Sequence, residues 1–283
     1  MFVKTEAIVL HALKYGERQM IADMFTREHG RLSFIMPLPR SERSKLKKQY
    51  LQALTLLQIE CDVRQQMQLQ KIREAQLLTP LHALYCDAKK LSIGLFVAEF
   101  LYHALRDEQR NVPLFDYIRS AVEWLDGAAD GFANFHLVLL MHTARFLGFY
   151  PNLDTSGEYF DLRAATFCPT PPLHADFLMP QEAGRIRLLM RMDFPTMHLF
   201  RLSRTERNRI LELLLRYYRL HVPGFPELRS VSVLKELFSE VRGCGGTTVP
   251  PNPFKIDKKN NKPYESSREI HAHGPGRGTE GPV

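Results

Sequence analysis

Cysteine is scarce in this chain and poorly placed for structural chemistry. Only four occur in 283 residues, Cys61, Cys86, Cys168 and Cys244, far apart and without a C-x-x-C pair. That pattern argues against a disulfide framework and a complete zinc site, and implies reduced thiols in a cytoplasm. Long apolar runs are missing too. None approaches the roughly 20 residues a membrane span needs, so no membrane association is expected. The N-terminus MFVKTEAIVLHALKYG does not read as a secretory leader: Glu6 interrupts it, and no small-residue cleavage site follows. Catalytic signatures are equally absent. There is no G-x-S-x-G elbow, no P-loop and no G-x-G-x-x-G after a strand, so no enzyme is expected. His136 and His142 sit on an apolar helical pattern and read as packed or surface residues. Glu158 and Asp161 have no substrate-placing neighbour. Cys168 and His174 supply two of the four ligands that a structural zinc requires, and His271 and His273 fall in a Gly/Pro-rich tail.

Positive charge, by contrast, is plentiful and unevenly spread. The net charge is +7, with 45% hydrophobic and 24% charged residues, an ordinary globular composition long enough for two domains. Much of the excess lies in RLSFIMPLPRSERSKLKKQYL, residues 31–51. There Arg40, Arg43, Lys45, Lys47 and Lys48 face one acid, Glu42. On a barrel rim these cations would meet a phosphate backbone and release its counterions, with Phe34 and Tyr50 as nearby aromatics of the type that stacks bases. The alternative is a solvated loop, with both aromatics in the core. A second cluster, Arg201, Arg204, Arg207 and Arg209 against Glu206, opens a helix where the dipole disfavours cations. It points to an acidic partner or to carboxylates elsewhere in the fold.

Periodicity divides the chain into an α+β arrangement. Residues 1–80 carry five short runs, EAIVLHAL, MIADMFT, RLSFIMP, LTLLQIECDV and LQKIREAQLL, with Gly30 closing a hairpin turn between the second and third. Five such strands suit a small closed or partly open barrel. From Thr79-Pro80, read as N-cap and first helical residue, the spacing becomes helical, with Leu84, Ala88, Leu91, Leu95, Ala98, Leu101 and Leu105 on one stripe. Further helices are predicted from Pro113, over residues 135–149, over 180–192, from the capping box SRTE at Ser203, and over 230–241. Residues 81–241 thus form a helical domain with an irregular insertion at about 152–180. Residues 243–283 contain seven glycines and six prolines, and a disordered tail is read over 242–283.

Several stretches in order resemble the bacterial recombination mediator family RecO: EAIVL from Glu6, Tyr15-Gly16-Glu17, FTREHGRLS from Phe25, RSERSKLKKQYLQALTLLQIE, RFLGFYPNLD from Arg145 and RSVSVLKELF from Arg229. The resemblance covers roughly residues 1–240. It implies an N-terminal five-stranded OB-fold and an α-helical domain. It also implies a non-enzymatic protein of the cytoplasm and nucleoid that binds single- and double-stranded DNA and anneals complementary strands. Such a protein works with RecR to load the RecA recombinase onto DNA coated by single-strand-binding protein (SSB). Arg18, Arg27 and Arg31 then extend the DNA surface of Arg40, Arg43, Lys45, Lys47 and Lys48. Family members hold the acidic C-terminal tail of SSB on the helical domain, for which Arg201, Arg204, Arg207 and Arg209 are a conceivable receptor. Many relatives carry a four-cysteine zinc element after the segment matching LGFYPNLD. Here Thr155, Ser156 and Gly157 stand where its first cysteine is expected. No zinc or other cofactor is therefore expected, and Tyr159, Phe160, Leu162 and Phe167 are expected to hold the insertion. Two other readings remain open, a basic OB module for RNA and a scaffold for an acidic protein.

Overall fold

The computed structural model describes residues 2–38, 47–64 and 66–237. The tail at 242–283 lies outside the described residues, as do Arg40, Arg43 and Lys45.

Five strands, β1 (Phe2–Tyr15), β2 (Gln19–Thr26), β3 (Gly30–Pro37), β4 (Leu56–Asp62) and β5 (Leu69–Thr79), close a barrel in the order β1-β2-β3-β5-β4. Only the β3–β5 pairing is parallel. This is an OB-fold, and the alternation in the sequence explains it. Ala7, Val9, Ala22, Met24, Phe34, Met36, Leu57 and Ile59 point inward and fill the barrel. A register shift between Val9 and His11 lets the long β1 bend around it. A second set, Ile8, Leu10, Phe25, Leu54 and Leu56, belongs instead to the core of the helical domain. Barrel and helices therefore share apolar packing along one side.

The helical part holds α1 (Ala83–Cys86), α2 (Ala88–Ala104), α3 (Val112–Gly127), α4 (Phe135–Phe146), α5 (Pro180–Met190), α6 (Arg204–His221) and α7 (Ser230–Leu237). Two expectations about where the helices begin and how they pack are corrected. Thr79 is not a helix cap: it ends β5 opposite Leu56, and its hydroxyl donates to Glu123 at 2.9 Å. Asp87 is the cap, accepting from the backbone amides of Lys89 at 2.7 Å and Lys90 at 3.0 Å. Nor does the whole expected stripe face the core: Leu84, Ala98, Leu101 and Leu105 are buried, but Ala88, Leu91 and Leu95 are not. These last three are exposed, and Ile93, Phe96, Val97, Phe100, Leu101 and Ala104 face the core. An apolar helix shows several stripes at helical spacing, and only the neighbours select one. The SRTE expectation matches in full, since Ser203 and Glu206 form a reciprocal capping box on α6.

The insertion is more regular than its sequence implies. β6 (Tyr159–Asp161), β7 (Thr166–Cys168) and β8 (Phe177–Leu178) form a small sheet in the order β7-β6-β8. Strands of two or three residues leave no periodicity to read. Phe160, Leu162, Phe167 and Leu178 are buried beneath them, with Tyr159 half-buried. Asp176 ties the sheet to α6 through Arg163 and, at 3.0 Å, Arg216.

Candidate nucleic-acid interface

The β2–β3 hairpin presses against the helical domain, and this decides the surroundings of two of the expected DNA-binding residues. Arg27 donates from Nε and Nη2 to the two carboxylate oxygens of Asp116, each at 3.0 Å. Arg31 donates to the Tyr102 carbonyl at 2.8 Å and lies 4.3 Å from the centroid of the Tyr102 ring. Its Nη2 is 3.5 Å from Asp23, and only 11% of its side chain is exposed. Glu6 with Arg119 and Glu28 with Arg110, both at 2.9 Å, complete the row. Gly30 makes the close approach possible: its φ is +69°, and an added Cβ would stand 2.4 Å from the Gln109 backbone carbon. Arg27 and Arg31 thus already have partners at the domain junction.

Asp23 is the hub of that junction. Burial raises its carboxyl, but hydrogen bonds with His11 and Ser33 and the charge of Arg31 outweigh burial and hold it below the usual carboxylate range. Asp116 is lowered too, chiefly by its hydrogen bonds from Arg27.

The remaining cations lie elsewhere on the barrel. Arg18 is exposed in the β1–β2 turn, and its carbonyl accepts from the Leu38 amide at 2.8 Å, so the chain enters residues 39–46 beside it. At the other end of that segment Lys47 and Lys48 are exposed. The two expected aromatics divide differently. Phe34 is wholly buried in the barrel, and Tyr50 packs half-buried against the same core.

The outer face of β1–β2–β3 carries instead an apolar row that sequence reasoning missed. Leu13, Ile21 and Ile35 are direct cross-strand partners, followed by Lys71 on β5. Tyr15, Gln19 and Pro37 form the next row toward the Arg18 turn. Tyr15 is 53% exposed, Leu13 is exposed, and Ile21 and Ile35 are half-exposed. A signal existed: past the shift in β1, His11, Leu13 and Tyr15 alternate with the inward residues, so they must face out. The result is an exposed ring on an apolar sheet face, next to the turn that carries the exposed Arg18.

In the second arginine cluster, Arg204 donates to the Lys235 carbonyl at 2.9 and 2.6 Å, bracing α6 against α7. Arg207 donates to the Leu202 carbonyl at 2.6 Å. Arg209 reaches Glu182 at 2.9 Å, and Arg201 is exposed. Carboxylates and carbonyls elsewhere in the fold thus offset the cations at the start of α6. Nor do the residues of the insertion fit a zinc ion. His174 is engaged with Asp161 at 3.2 Å, Gly157 packs onto the Cys168 backbone, and among the described residues no three His, Cys, Asp or Glu gather at one point. No helix of the described residues is long and apolar enough to cross a membrane.

Comparison with known proteins gives the same division of the chain. Residues 1–81 match the family model for the Recombination protein O N terminal, and residues 86–230 match that for the Recombination protein O C terminal. The chain belongs to the RecO family. A DNA repair protein RecO of Phocaeicola vulgatus is 50% identical over 241 residues, covering 84% of this chain and 100% of the relative. That of Bacteroides fragilis is 48% identical and that of Flavobacterium psychrophilum 35%, with the same coverage. In RecO terms the boundary between the two matches falls at the β5–α1 connection, where barrel gives way to helices. The chain is a RecO-family protein of DNA repair and recombination.

Proposed function

We propose that this protein is a non-enzymatic recombination mediator of the cytoplasm and nucleoid that binds single- and double-stranded DNA and anneals complementary strands. With RecR it helps to load RecA onto SSB-coated single strands. The observation that carries this reading is the outer face of β1–β2–β3, with exposed Tyr15 and Leu13 beside Arg18, where the cation-rich segment begins. Bases stack on exposed rings irrespective of sequence, while Arg18, Arg40, Arg43, Lys45, Lys47 and Lys48 neutralise phosphates. Two polyanions drawn to one cationic surface meet at high local concentration, which favours pairing. Arg27 and Arg31 are left to the domain junction. The helical domain takes the partner proteins; there Arg201, exposed at the foot of α6, is the member of its cluster best placed to receive the acidic SSB tail.

The test is the annealing rate of complementary oligonucleotides coated with SSB, using intact SSB and SSB without its acidic tail. Acceleration that needs the tail is expected. Equal rates with and without the protein would overturn the mediator reading, and a preference for structured RNA over single-stranded DNA would replace it with an RNA-binding one.

A further inference from the structure

We infer that Phe2 and Arg73 form a second base-stacking step for single-stranded nucleic acid, on the β1–β4–β5 side of the barrel and separate from the Tyr15 face. The inference rests on the nucleic-acid reading above and extends it. Phe2 is 59% exposed and belongs to neither apolar core. The Arg73 guanidinium carbon lies 3.6 Å from the centroid of its ring. This is an aromatic and a planar cation already layered at the surface, both exposed. Guanidinium planes and aromatic rings both stack nucleobases, and neither demands a particular base.

Cations and carboxylates alternate around this step. Lys71 lies two residues before Arg73 and is exposed, as is Lys4 two residues after Phe2. Asp62, the register partner of both Phe2 and Lys71, is held by Arg64 at 3.0 Å. Glu60 is opposite Lys4 in the ladder. Glu60 also pairs with Glu74, beside Arg73, so the step stands on its stacked geometry rather than on an excess of positive charge.

Register also joins the step to the first face. Ile35 pairs with Lys71, Lys71 with Asp62, and Asp62 with Phe2. One outward band therefore runs from Leu13 through Ile21, Ile35 and Lys71 to Phe2. From Ile35 to Phe2 it crosses three strand spacings, about 15 Å at ~4.8 Å each. A strand following this band passes Leu13 near one end and meets the Phe2–Arg73 layer at the other.

The experiment uses the full chain and oligo-dT carrying 5-iodouracil. Photocrosslinked peptides are mapped, and affinity is measured by anisotropy at fixed salt. A crosslink at Phe2 is expected, with about a fivefold or greater loss of affinity in both Phe2→Leu and Arg73→Ala. Arg73→Lys keeps the charge but loses the plane and should not restore binding, and all three variants should melt like the unaltered protein. Full affinity in Phe2→Leu and Arg73→Ala, with no crosslink at residue 2, would overturn the inference. If Lys47→Ala/Lys48→Ala still weakened binding, the nucleic-acid reading itself would survive. An unaltered chain that binds no single strand would remove both.

Discussion

At the scale of single residues, the junction between barrel and helices depends on positions that no substitution can mimic. Gly30 combines a positive φ with a backbone approach that leaves no room for a Cβ. Gly30→Ala should therefore cost about 2–4 kcal/mol, from strain and displacement together, measurable as a lower urea midpoint. Histidine adds a pH dependence. Burial, aided by the charge of Arg207, pushes His136 down to about 3, and burial also lowers His103. The unfolded chain takes up these protons near pH 6.5 while the folded chain refuses them. Stability is thus fully present above about pH 6.5 and falls as the pH drops toward the folded values, by up to about 1.4 kcal/mol per pH unit for His136 and more weakly for the partly exposed His103. Urea titrations between pH 8 and 5 should show this slope, and His136→Phe should flatten it. An unchanged slope in that variant would place the titrating groups elsewhere.

At the scale of elements, the exposed row on β1 and the small sheet of the insertion make separate claims. Tyr15→Ala removes a half-exposed ring that fills no core, so the melting temperature should hold. Affinity for single-stranded DNA should fall by about 1–3 kcal/mol, the usual worth of a stacked base. The matching change at Phe34 should unfold the barrel instead, because that ring is wholly buried among Met24, Met36 and Ile59. In the insertion, Phe160, Leu162, Phe167 and Leu178 form an apolar base, and Asp176 joins Arg163 and Arg216 above it. These interactions account for the fold of β6–β8 without a metal. Elemental analysis after dialysis should find less than one zinc per chain, and chelators should leave the melting curve unchanged.

At the scale of the whole molecule, charge and apolar surface are arranged on one barrel whose other side is sealed by helices. The side that carries Ile8, Leu10 and Phe25 is spent on the helical domain. The remaining outer faces offer Tyr15, Leu13, Phe2 and the cations. Removing Lys47 and Lys48 together with Arg43 and Lys45 should weaken binding to all DNA sequences alike. On single strands it should also reduce the slope of log affinity against log salt, by roughly 0.7 for each phosphate that is no longer neutralised. An unchanged slope would assign the electrostatic term to other cations.

Much of this organisation was legible in the chain. Five alternating runs became the five strands of the barrel, and SRTE opened a helix at Ser203, because these signals are local and need no distant partner. The family resemblance was readable for the same reason, as an ordered series of short motifs. Tertiary structure decided the rest. Leu91 and Leu95 have the spacing of a core stripe yet face solvent, since the packing of α2 selects the stripe of Phe96 and Phe100. Arg27 and Arg31 resemble the other cations in sequence, and only the docking of the hairpin brings Asp116 and Tyr102 to them. Alternation tells which residues share a face of a strand, but not whether water or another domain covers it. That was settled by packing between residues far apart in the chain, which separated Phe34 in the core from Tyr15 at the surface.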